Sequence, residues 1–315
     1  MKQFSNTNFS SEIPGPDWVE ERKNYISGSI AAAILGVSTY STPLQVWLRK
    51  KGHIPPIDSS DIMVFGNIFE PIMAEYFSSV TGLKTRRVNE PIEHKDYSFL
   101  RANIDRQILN GEGVDGTGVL ELKTTTSHRL KSLDGDIPNE WKYQVQFYLG
   151  ITNYAYGKLL VYERDTCRFH PILHIERDDK LISEMETKLI DWWQKHMVGG
   201  IRPTPVNAED AFLLYPDAKD DSVVEALAED QAYYDELVKV RQKINSLQFE
   251  KELLEAFLKN SIGDGERLVA GGQVLITWRN QTTNRLDTKK LKQRYPALCK
   301  KFQKQTKTRR FVVKN

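Results

Sequence analysis

A short apolar run that contains two charges, Val119-Leu-Glu-Leu-Lys123, constrains the fold of this chain more than any other feature. Successive side chains of a β-strand point to opposite faces, so Glu121 and Lys123 share one face if the run is a strand. The run follows a glycine-rich turn at 111–118, which is typical of a strand start. Burying a carboxylate there is costly unless a partner or a metal compensates its charge. The sequence therefore predicts a buried strand whose charged face meets other polar groups.

The charged pair alone is a weak signal. An acid two residues before a lysine occurs eight times, starting at Glu21, Glu93, Glu121, Glu140, Asp178, Glu186, Asp217 and Asp287. Only the pair at Glu121 follows a glycine-rich turn and enters an apolar run. An ion pair on an edge strand explains this strand as well as a catalytic role does, so both interpretations stay open.

Composition indicates a globular protein with a substantial core. With 315 residues, 40% of them hydrophobic, the chain can form one large domain or a main domain with an appendage. It shows no apolar leader and no run near the ~18 apolar residues that span a bilayer. We therefore expect a soluble, intracellular protein.

Several site classes find no support in the sequence. The only cysteines, Cys167 and Cys299, lie far apart and away from histidines, which argues against disulfides and against zinc or iron–sulfur sites. None of the six histidines belongs to an HExxH pattern, and no phosphate-binding GxxxxGK loop occurs. An ATP-driven motor is therefore not indicated.

Charge is distributed unevenly along the chain. Residues 266–315 contain 14 Lys or Arg and two acids, a net charge of +12, whereas the whole chain carries +2. Such a basic segment indicates contact with a polyanion, although a solvated arm explains it too. Apolar residues recur among the charges, which predicts a folded basic surface over an apolar scaffold. The candidates for contact with a DNA backbone are Lys289, Lys290, Lys292, Arg294, Arg309 and Arg310.

The pattern of apolar residues predicts a mixed α/β core. Helices are expected from Ser27, after Thr42-Pro43, and at 63–80, where Glu70 lies beside an apolar face. A meander at 84–123 follows, with Asp105 and Glu121 on adjoining strands. Further along, the sequence predicts a helix at 140–149, strands at 158–162 and 168–175, and a helix at 179–197.

A proline-containing linker separates this core from a second region. Residues 221–260 are helical in pattern, as one long arm or a hairpin whose role is packing, with apolar residues near a/d heptad spacing at Leu227, Tyr234, Leu237, Val240, Ile244, Leu247, Leu254 and Leu258. Strands are expected near Leu268 and at 274–278. We therefore divide the chain into a core domain at 1–215, a helical arm at 216–265 and a basic module at 266–315.

Glu70, Asp105, Glu121-Leu-Lys123 and Gln144 occur in one order with plausible spacing, and this arrangement resembles the PD-(D/E)xK nuclease superfamily. Three segments are similar to the YqaJ viral recombinase family, to which lambda-type alkaline exonucleases are related. They are the run from Gly28 to Leu44, the segment Phe65-Gly-Asn-Ile-Phe-Glu-Pro71 and the segment Ala102-Asn-Ile-Asp105. The resemblance covers about residues 20–215. It implies a restriction-endonuclease-like core, with a mixed central sheet flanked by helices, and a helical and basic C-terminal extension.

The resemblance also implies roles for these residues. Asp105, Glu121 and the backbone carbonyl of Leu122 would hold Mg²⁺, with Mn²⁺ as a substitute, and Glu70 would bind metal through water or complete a second site. Lys123 would supply a fixed positive charge and Gln144 would orient it. Tyr148 completes a QxxxY pattern, and plain helix packing explains it equally well.

Arg22 and Ser29 are similar in spacing to the pair that grips the 5′-phosphate in lambda-type exonucleases, although Arg22 also fits an ordinary surface charge. Two departures from the family pattern occur. Ile104 replaces a proline, and Asn103 stands where a serine contacts phosphate, so recognition of the DNA end differs in this chain.

The leading hypothesis is therefore a Mg²⁺-dependent, ATP-independent 5′→3′ exonuclease on double-stranded DNA ends, acting in phage or prophage recombination in the bacterial cytoplasm. The resemblance implies a ring-like homotrimer and a single-strand annealing protein as partner. The alternatives are an endonuclease or structure-specific nuclease with the same metal site, and a catalytically silent protein that binds DNA ends. Two cysteines cannot supply the four-cysteine cluster of a Cas4-like nuclease.

Overall fold

The computed structural model describes residues 20–57, 60–109, 116–131, 137–219, 222–304 and 308–314. The chain divides into two compact units, Met1–Leu213 and Leu214–Asn315. Most of the glycine-rich turn at 111–118 lies outside the described residues. No helix among the described residues is long and apolar enough to cross a membrane.

A six-stranded mixed sheet forms the centre of the first unit and confirms the predicted fold class. Its longest strands, Gly118–Thr125 (β5) and Tyr156–Glu163 (β6), run parallel with Glu121 opposite Leu159. Parallel neighbours require a crossover, which the helix Asn139–Thr152 (α5) supplies. Antiparallel neighbours complete the sheet: Thr85–Arg86 (β1) beside Arg106–Ile108 (β4), β4 beside β5, and both Arg168–Phe169 (β7) and Leu173–Glu176 (β8) beside β6.

The predicted strand at 168–175 is wrong in one respect, because it is interrupted between β7 and β8. Pro171 lies in the gap. Proline has no N–H to donate to a neighbouring strand, so the ladder with β6 breaks there.

Three helices precede the sheet and begin where the sequence predicts. They are Gly28–Ile34 (α1), Pro43–Lys50 (α2) and Asp61–Thr81 (α3), and a 3₁₀ turn at Arg22–Asn24 precedes them. Ser27 and Thr42 occupy the N-cap positions, and Thr42 Oγ1 accepts a hydrogen bond from Gln45 N at 3.1 Å. This bond satisfies one of the free N–H groups at the start of α2.

The remaining elements of the first unit are short or peripheral. Ile92–Glu93 (β2) and Arg101–Ala102 (β3) form a separate two-stranded sheet. The predicted helix at 179–197 is confirmed in extent, but it is α-helical only over Asp179–Trp192 (α6) and continues as a π-helix over Trp193–Val198. The other helices are Ser127–Lys131 (α4) and Ala208–Leu214 (α7).

Helices cover both faces of the central sheet. On one face, Phe77 of α3 packs in a cluster with Leu120 and Leu160. On the other face, Trp141 of α5 packs against Leu159 and its neighbours. Burial of a side chain such as Phe77 stabilises the fold by roughly 1.5–3 kcal/mol. Because successive side chains of β5 point to opposite faces of the sheet, Val119 and Glu121 face α5.

The second unit contains one continuous helix, Ala228–Ile262 (α8), so the predicted hairpin is excluded. A hairpin of Arg267–Ala270 (β9) and Gln273–Thr277 (β10) follows, and its turn uses Gly271 and Gly272 at positive φ. Two short helices, Thr288–Arg294 (α9) and Pro296–Lys301 (α10), follow the hairpin.

The expectation of an apolar scaffold beneath the basic side chains is wrong. Among the described residues of 266–315, the apolar side chains are exposed or half-buried, and none is buried. The half-buried ones are Leu268, Ile276, Leu291, Cys299 and Val313. The short α9 and α10 have no buried residue, because helices of six or seven residues offer too little surface to enclose a core. The exposed set comprises Trp278, Leu286, Tyr295, Leu298, Phe302 and Phe311.

Candidate active site

Strand β5 and helix α5 bring three predicted site residues together. Lys123 Nζ lies 2.6 Å from Glu121 Oε1 and 3.1 Å from Gln144 Oε1. Gln144 in turn donates through Nε2 to the same oxygen of Glu121 at 2.7 Å. The carboxylate, the ammonium and the amide therefore form a closed triangle in which each group restricts the other two. The predicted same-face arrangement of Glu121 and Lys123 is confirmed.

Asp105 joins this triangle because β4 pairs antiparallel with β5. The register places Arg106 opposite Leu120, and Asp105 Oδ2 accepts a hydrogen bond from Leu122 N at 2.8 Å. Burial and then the charge of Glu121 raise the pKa of Asp105 to about 7. Two carboxylates that repel each other away from water favour a cation between them.

The charges of the triangle stabilise one another. Burial raises the pKa of Glu121, and the charge of Lys123 opposes this change. Burial alone would lower the pKa of Lys123, but Glu121 and Asp105 together raise it above its usual value. Lys123 therefore keeps its positive charge at neutral pH.

Glu70 has a different partner from the other acids. Its Oε1 pairs with Arg106 Nη1, and the same nitrogen donates to the backbone carbonyl of Asp105 at 2.6 Å. Burial and then the charge of Asp105 raise the pKa of Glu70, which Arg106 partly offsets. Arg106 therefore joins Glu70 to the backbone of Asp105, and the sequence pattern assigned it no role.

The second carboxylate oxygen of Glu121 indicates that a cation fits this site. Glu121 Oε2 is buried and has no hydrogen-bond partner among the described residues. Leaving such a group unsatisfied costs about 1–3 kcal/mol. Carboxylate oxygens are the ligands that Mg²⁺ and Mn²⁺ prefer. Asp105 and Glu121 therefore fit a divalent cation, although no group of three or more His, Cys, Asp or Glu in the described ranges is arranged around one.

Gly28 allows α1 to approach the site closely. A Cβ atom at Gly28 would lie 2.6 Å from Tyr148 Cε1 and 2.8 Å from Gln144 Cγ, both on α5. Tyr148 OH accepts a hydrogen bond from Gln144 Nε2 at 2.9 Å, so the ring supports the amide that contacts Lys123. The sequence predicted Gly28 as part of a helix start and of the segment from Gly28 to Leu44 that resembles the family, without a role in packing. Its closeness to Tyr148 is a tertiary contact without a local signal.

Gly28→Ala is expected to reduce activity about tenfold or more, because Tyr148 and Gln144 must move and small misplacements of site groups are costly. Gly66→Ala is the matched control, since a Cβ there would meet only Thr124 Oγ1 at 4.0 Å. Initial hydrolysis rates and unfolding temperatures of both variants test this expectation. Equal activity of the two variants would show that the contact has no functional role.

Arg22 and Ser29 both line a cavity of about 360 Å³ in the first unit. Arg22 Nη2 donates to Ser27 Oγ at 2.8 Å, immediately before α1. Arg49 and Lys50 of α2 line the same cavity, which also has apolar walls such as Ile57. The structure therefore brings the two predicted phosphate-binding residues to one basic, partly apolar cavity.

Lys50 fixes the turn that carries Arg22. Its Nζ donates to the backbone carbonyls of Arg22 at 2.8 Å, of Lys23 at 3.3 Å and of Tyr25 at 2.5 Å. Burial and then the charge of Arg22 lower the pKa of Lys50 to about 7. A buried lysine with three carbonyl partners is a structural clamp on this turn, and sequence reasoning missed it because adjacent basic residues at a helix end are common.

The other predicted contact residues lie elsewhere. Asn103 is half-buried between β3 and β4, and its Oδ1 has no hydrogen-bond partner within the described part of the chain. Neither Asn103 nor Tyr148 is among the residues that line the cavity. The basic candidates belong to the second unit, where Lys289, Lys290, Lys292, Arg294, Arg309 and Arg310 are all exposed.

Comparison with known proteins identifies a matching family and a protein similar over almost the full chain. Residues 17–155 match the model of the YqaJ-like viral recombinase domain. The chain is 32% identical over 311 residues to the uncharacterized protein YqaJ of Bacillus subtilis (strain 168), an alignment that covers 97% of this chain and 96% of that protein.

The solved structures that match part of this chain include two exonucleases. The alkaline exonuclease LHK-Exo from Laribacter hongkongensis is 20% identical with a TM-score of 0.47, and the match covers 59% of this chain and 94% of that one. A phage-related exonuclease from Haemophilus somnus 129PT is 11% identical with a TM-score of 0.40, and the match covers 56% of this chain and 96% of that one.

Proposed function

Because this chain belongs to the YqaJ-like viral recombinase family, we propose that it is a Mg²⁺-dependent, ATP-independent exonuclease that digests double-stranded DNA from its ends in the 5′→3′ direction. Family membership supports a nuclease, and the observation that carries the proposal is the closed triangle of Glu121, Lys123 and Gln144 with Asp105 beside it. A buried ammonium next to two carboxylates suits hydrolysis of a phosphodiester.

Each residue of the site would have a distinct role. A cation held by Asp105 and Glu121 would lower the pKa of a water molecule and offset negative charge on the phosphate. Lys123 would keep a positive charge next to the reacting phosphate, and Gln144 would hold the ammonium in place. Tyr148 would position Gln144 through their hydrogen bond.

The test of this proposal compares DNA substrates that differ only in their ends. The purified chain is incubated, with Mg²⁺ or with a chelator, with a linear duplex, a nicked circle and a closed circle. We expect mononucleotides from the linear duplex, with Mg²⁺ only, and 3′ single-stranded overhangs. Cleavage of the closed circle would instead establish an endonuclease, and binding of ends without product would establish a silent end-binding protein.

Arg22→Gln is expected to remove the preference for a 5′-phosphate over a 5′-hydroxyl end, because we propose that Arg22 and Ser29 hold this phosphate at the cavity. Lys95→Gln is the control, since Lys95 is a cation that does not line this cavity and its side chain is 84% exposed. The ratio of initial rates on the two ends measures the preference. An unchanged ratio in the Arg22 variant would contradict this assignment.

Exchange of Lys289 and Lys290 for Gln is expected to weaken DNA binding and to reduce the slope of log affinity against log salt by about 2, as loss of two phosphate contacts predicts. Both side chains are exposed on α9. Exchange of exposed Lys180 and Lys188 on α6 removes the same charge elsewhere and serves as control. Titrations at several salt concentrations give the slopes, and equal slopes for both variants would argue against a DNA contact through α9.

Family membership also supports the wider proposal. The enzyme would act in phage or prophage recombination in the bacterial cytoplasm, where its overhangs would be substrates for a single-strand annealing protein. A ring-like homotrimer that encloses DNA would keep the enzyme on its substrate.

A further inference from the structure

Helix α8 exposes a long apolar stripe. Within α8, Ile262 is the only buried residue. Eight positions alternate in steps of four and three residues along one face, which is the heptad spacing of a coiled coil sustained over almost four heptads. These positions, called the α8 stripe, are Tyr233, Leu237, Val240, Ile244, Leu247, Lys251, Leu254 and Leu258.

Seven of the eight residues of the α8 stripe are exposed, and Leu237 is half-buried. The exposed fraction of its side chains is 44% at Val240, 57% at Ile244, 54% at Leu247 and 55% at Leu254. A helix of 35 residues is about 52 Å long at 1.5 Å per residue. The stripe follows most of this length and is therefore much larger than one or two isolated exposed apolar residues. Contiguous apolar surface of this extent marks an interaction site.

The charges beside the stripe favour one arrangement of two identical helices. In a parallel pair, Lys251 would face its own copy in the core, and Glu250 would lie across from Glu255. Both contacts are repulsive, and Glu236 across from Arg241 is the one attractive charged contact beside the core of a parallel pair. In an antiparallel pair centred between Ile244 and Leu247, each Lys251 lies opposite Val240, so the two ammonium groups are about 16 Å apart along the axis.

The antiparallel register also matches the remaining residues. Ile244 lies opposite Leu247, and Leu237 lies opposite Leu254. Beside this central layer, Lys243 of each helix lies across from Glu250 of the other, which makes two attractive contacts per pair. Within the described residues of a single chain, neither Lys243 nor Glu250 forms an ion pair. The two charges are therefore available to a second helix.

We propose that the α8 stripe is a self-association surface, on which the α8 helices of two copies of this chain pair antiparallel. The surface lies in the second unit and its existence does not depend on the nuclease proposal. It is formed by residues outside the segment that matches the family model, so it is a property of the extension.

Two variants of the full chain test the surface. Leu247→Lys places a charge in the central layer, whereas Phe249→Lys changes an apolar residue on the opposite side of α8. Leu247 is 54% exposed and Phe249 is 70% exposed. By sedimentation equilibrium, we expect the Leu247 variant to have half the mass of the wild type and of the Phe249 variant, because α8 pairing joins two single chains or, with the proposed homotrimer, two rings. Equal masses for the wild type and both variants would overturn the proposal.

A charge exchange tests the antiparallel register without disturbing the apolar core. Lys243→Glu places like charges across both flanking contacts and is expected to weaken association roughly fivefold or more, and the added Glu250→Lys is expected to restore it. In a parallel pair Lys243 would face Gln248, so Lys243→Glu would have little effect. That result, or a failure of the double variant to recover, would overturn the antiparallel pairing.

Discussion

Lys123→Ala is expected to lower the rate of DNA hydrolysis by about a thousandfold or more, whereas Lys95→Ala is expected to leave it within about twofold. Both lysines follow an acid by two residues, Glu121 and Glu93 respectively, so the sequence pattern alone does not distinguish them. The structure does: the Lys123 side chain is 23% exposed beside a buried carboxylate, and that of Lys95 is 84% exposed.

The physical reason lies in the closed triangle. Removal of the ammonium leaves Glu121 buried next to Asp105 without a compensating charge and leaves Gln144 Oε1 without its donor. The measurement is single-turnover hydrolysis of a linear duplex, together with DNA affinity and the unfolding temperature. A Lys123 variant that is folded, binds DNA and retains near-normal hydrolysis would refute the role of this residue.

If Asp105 holds the proposed cation, Asp105→Asn is expected to abolish stabilisation of the protein by Mg²⁺ and to lower hydrolysis by at least about a hundredfold. In the wild type, a cation that binds only the folded state stabilises it by about 2.7 kcal/mol at a hundred times its dissociation constant. Thermal unfolding with Mg²⁺ and with chelator measures this difference. Asp96→Asn is the control, because Asp96 is a highly exposed acid that pairs with Lys95.

In the absence of metal, Asp105→Asn is expected to stabilise the folded protein above pH 7. The pKa of Asp105 is about 7 in the folded protein and near its usual value of 3.8 in the unfolded chain. Between these values the folded state retains a proton that the unfolded state has lost, so the stability of the metal-free wild type falls as pH rises from about 4 to 7. Asparagine removes this dependence, and above pH 7 the variant is therefore expected to unfold at a higher temperature than the wild type. A lower unfolding temperature would show that the charge of Asp105 is already compensated.

The sequence predicted the parts of the site that depend on local periodicity. The alternation of β5 placed Glu121 and Lys123 on one face. The predicted meander at 84–123 is wrong, because β2 and β3 form a separate sheet and β1 pairs with β4. Asp105 nevertheless lies beside β5, since it directly precedes β4. Contacts between distant segments had no such signal: the pairing of Glu70 with Arg106, and the clamp of Lys50 on the turn at Arg22, depend on tertiary packing.

Outside the site as well, local features could be predicted from the sequence, whereas contacts between distant segments could not. The capping residues Ser27 and Thr42 predicted helix starts correctly because caps are local. The break at Pro171 could also have been predicted from proline chemistry. The exposure of the apolar residues near the C-terminus could not, because composition does not say which surfaces meet.

The contact at Gly28 has a consequence for the length of the products. Arg22 is bonded to Ser27, Gly28 touches Tyr148 and Gln144, and Gln144 is bonded to Lys123. This unbroken series of contacts ties the proposed grip on the DNA end to the proposed reaction centre without a flexible linker. The distance between the proposed grip and the proposed reaction centre would then be fixed by the fold. Each round of hydrolysis would therefore release a fragment of the same length, whatever the base sequence or the rate of digestion.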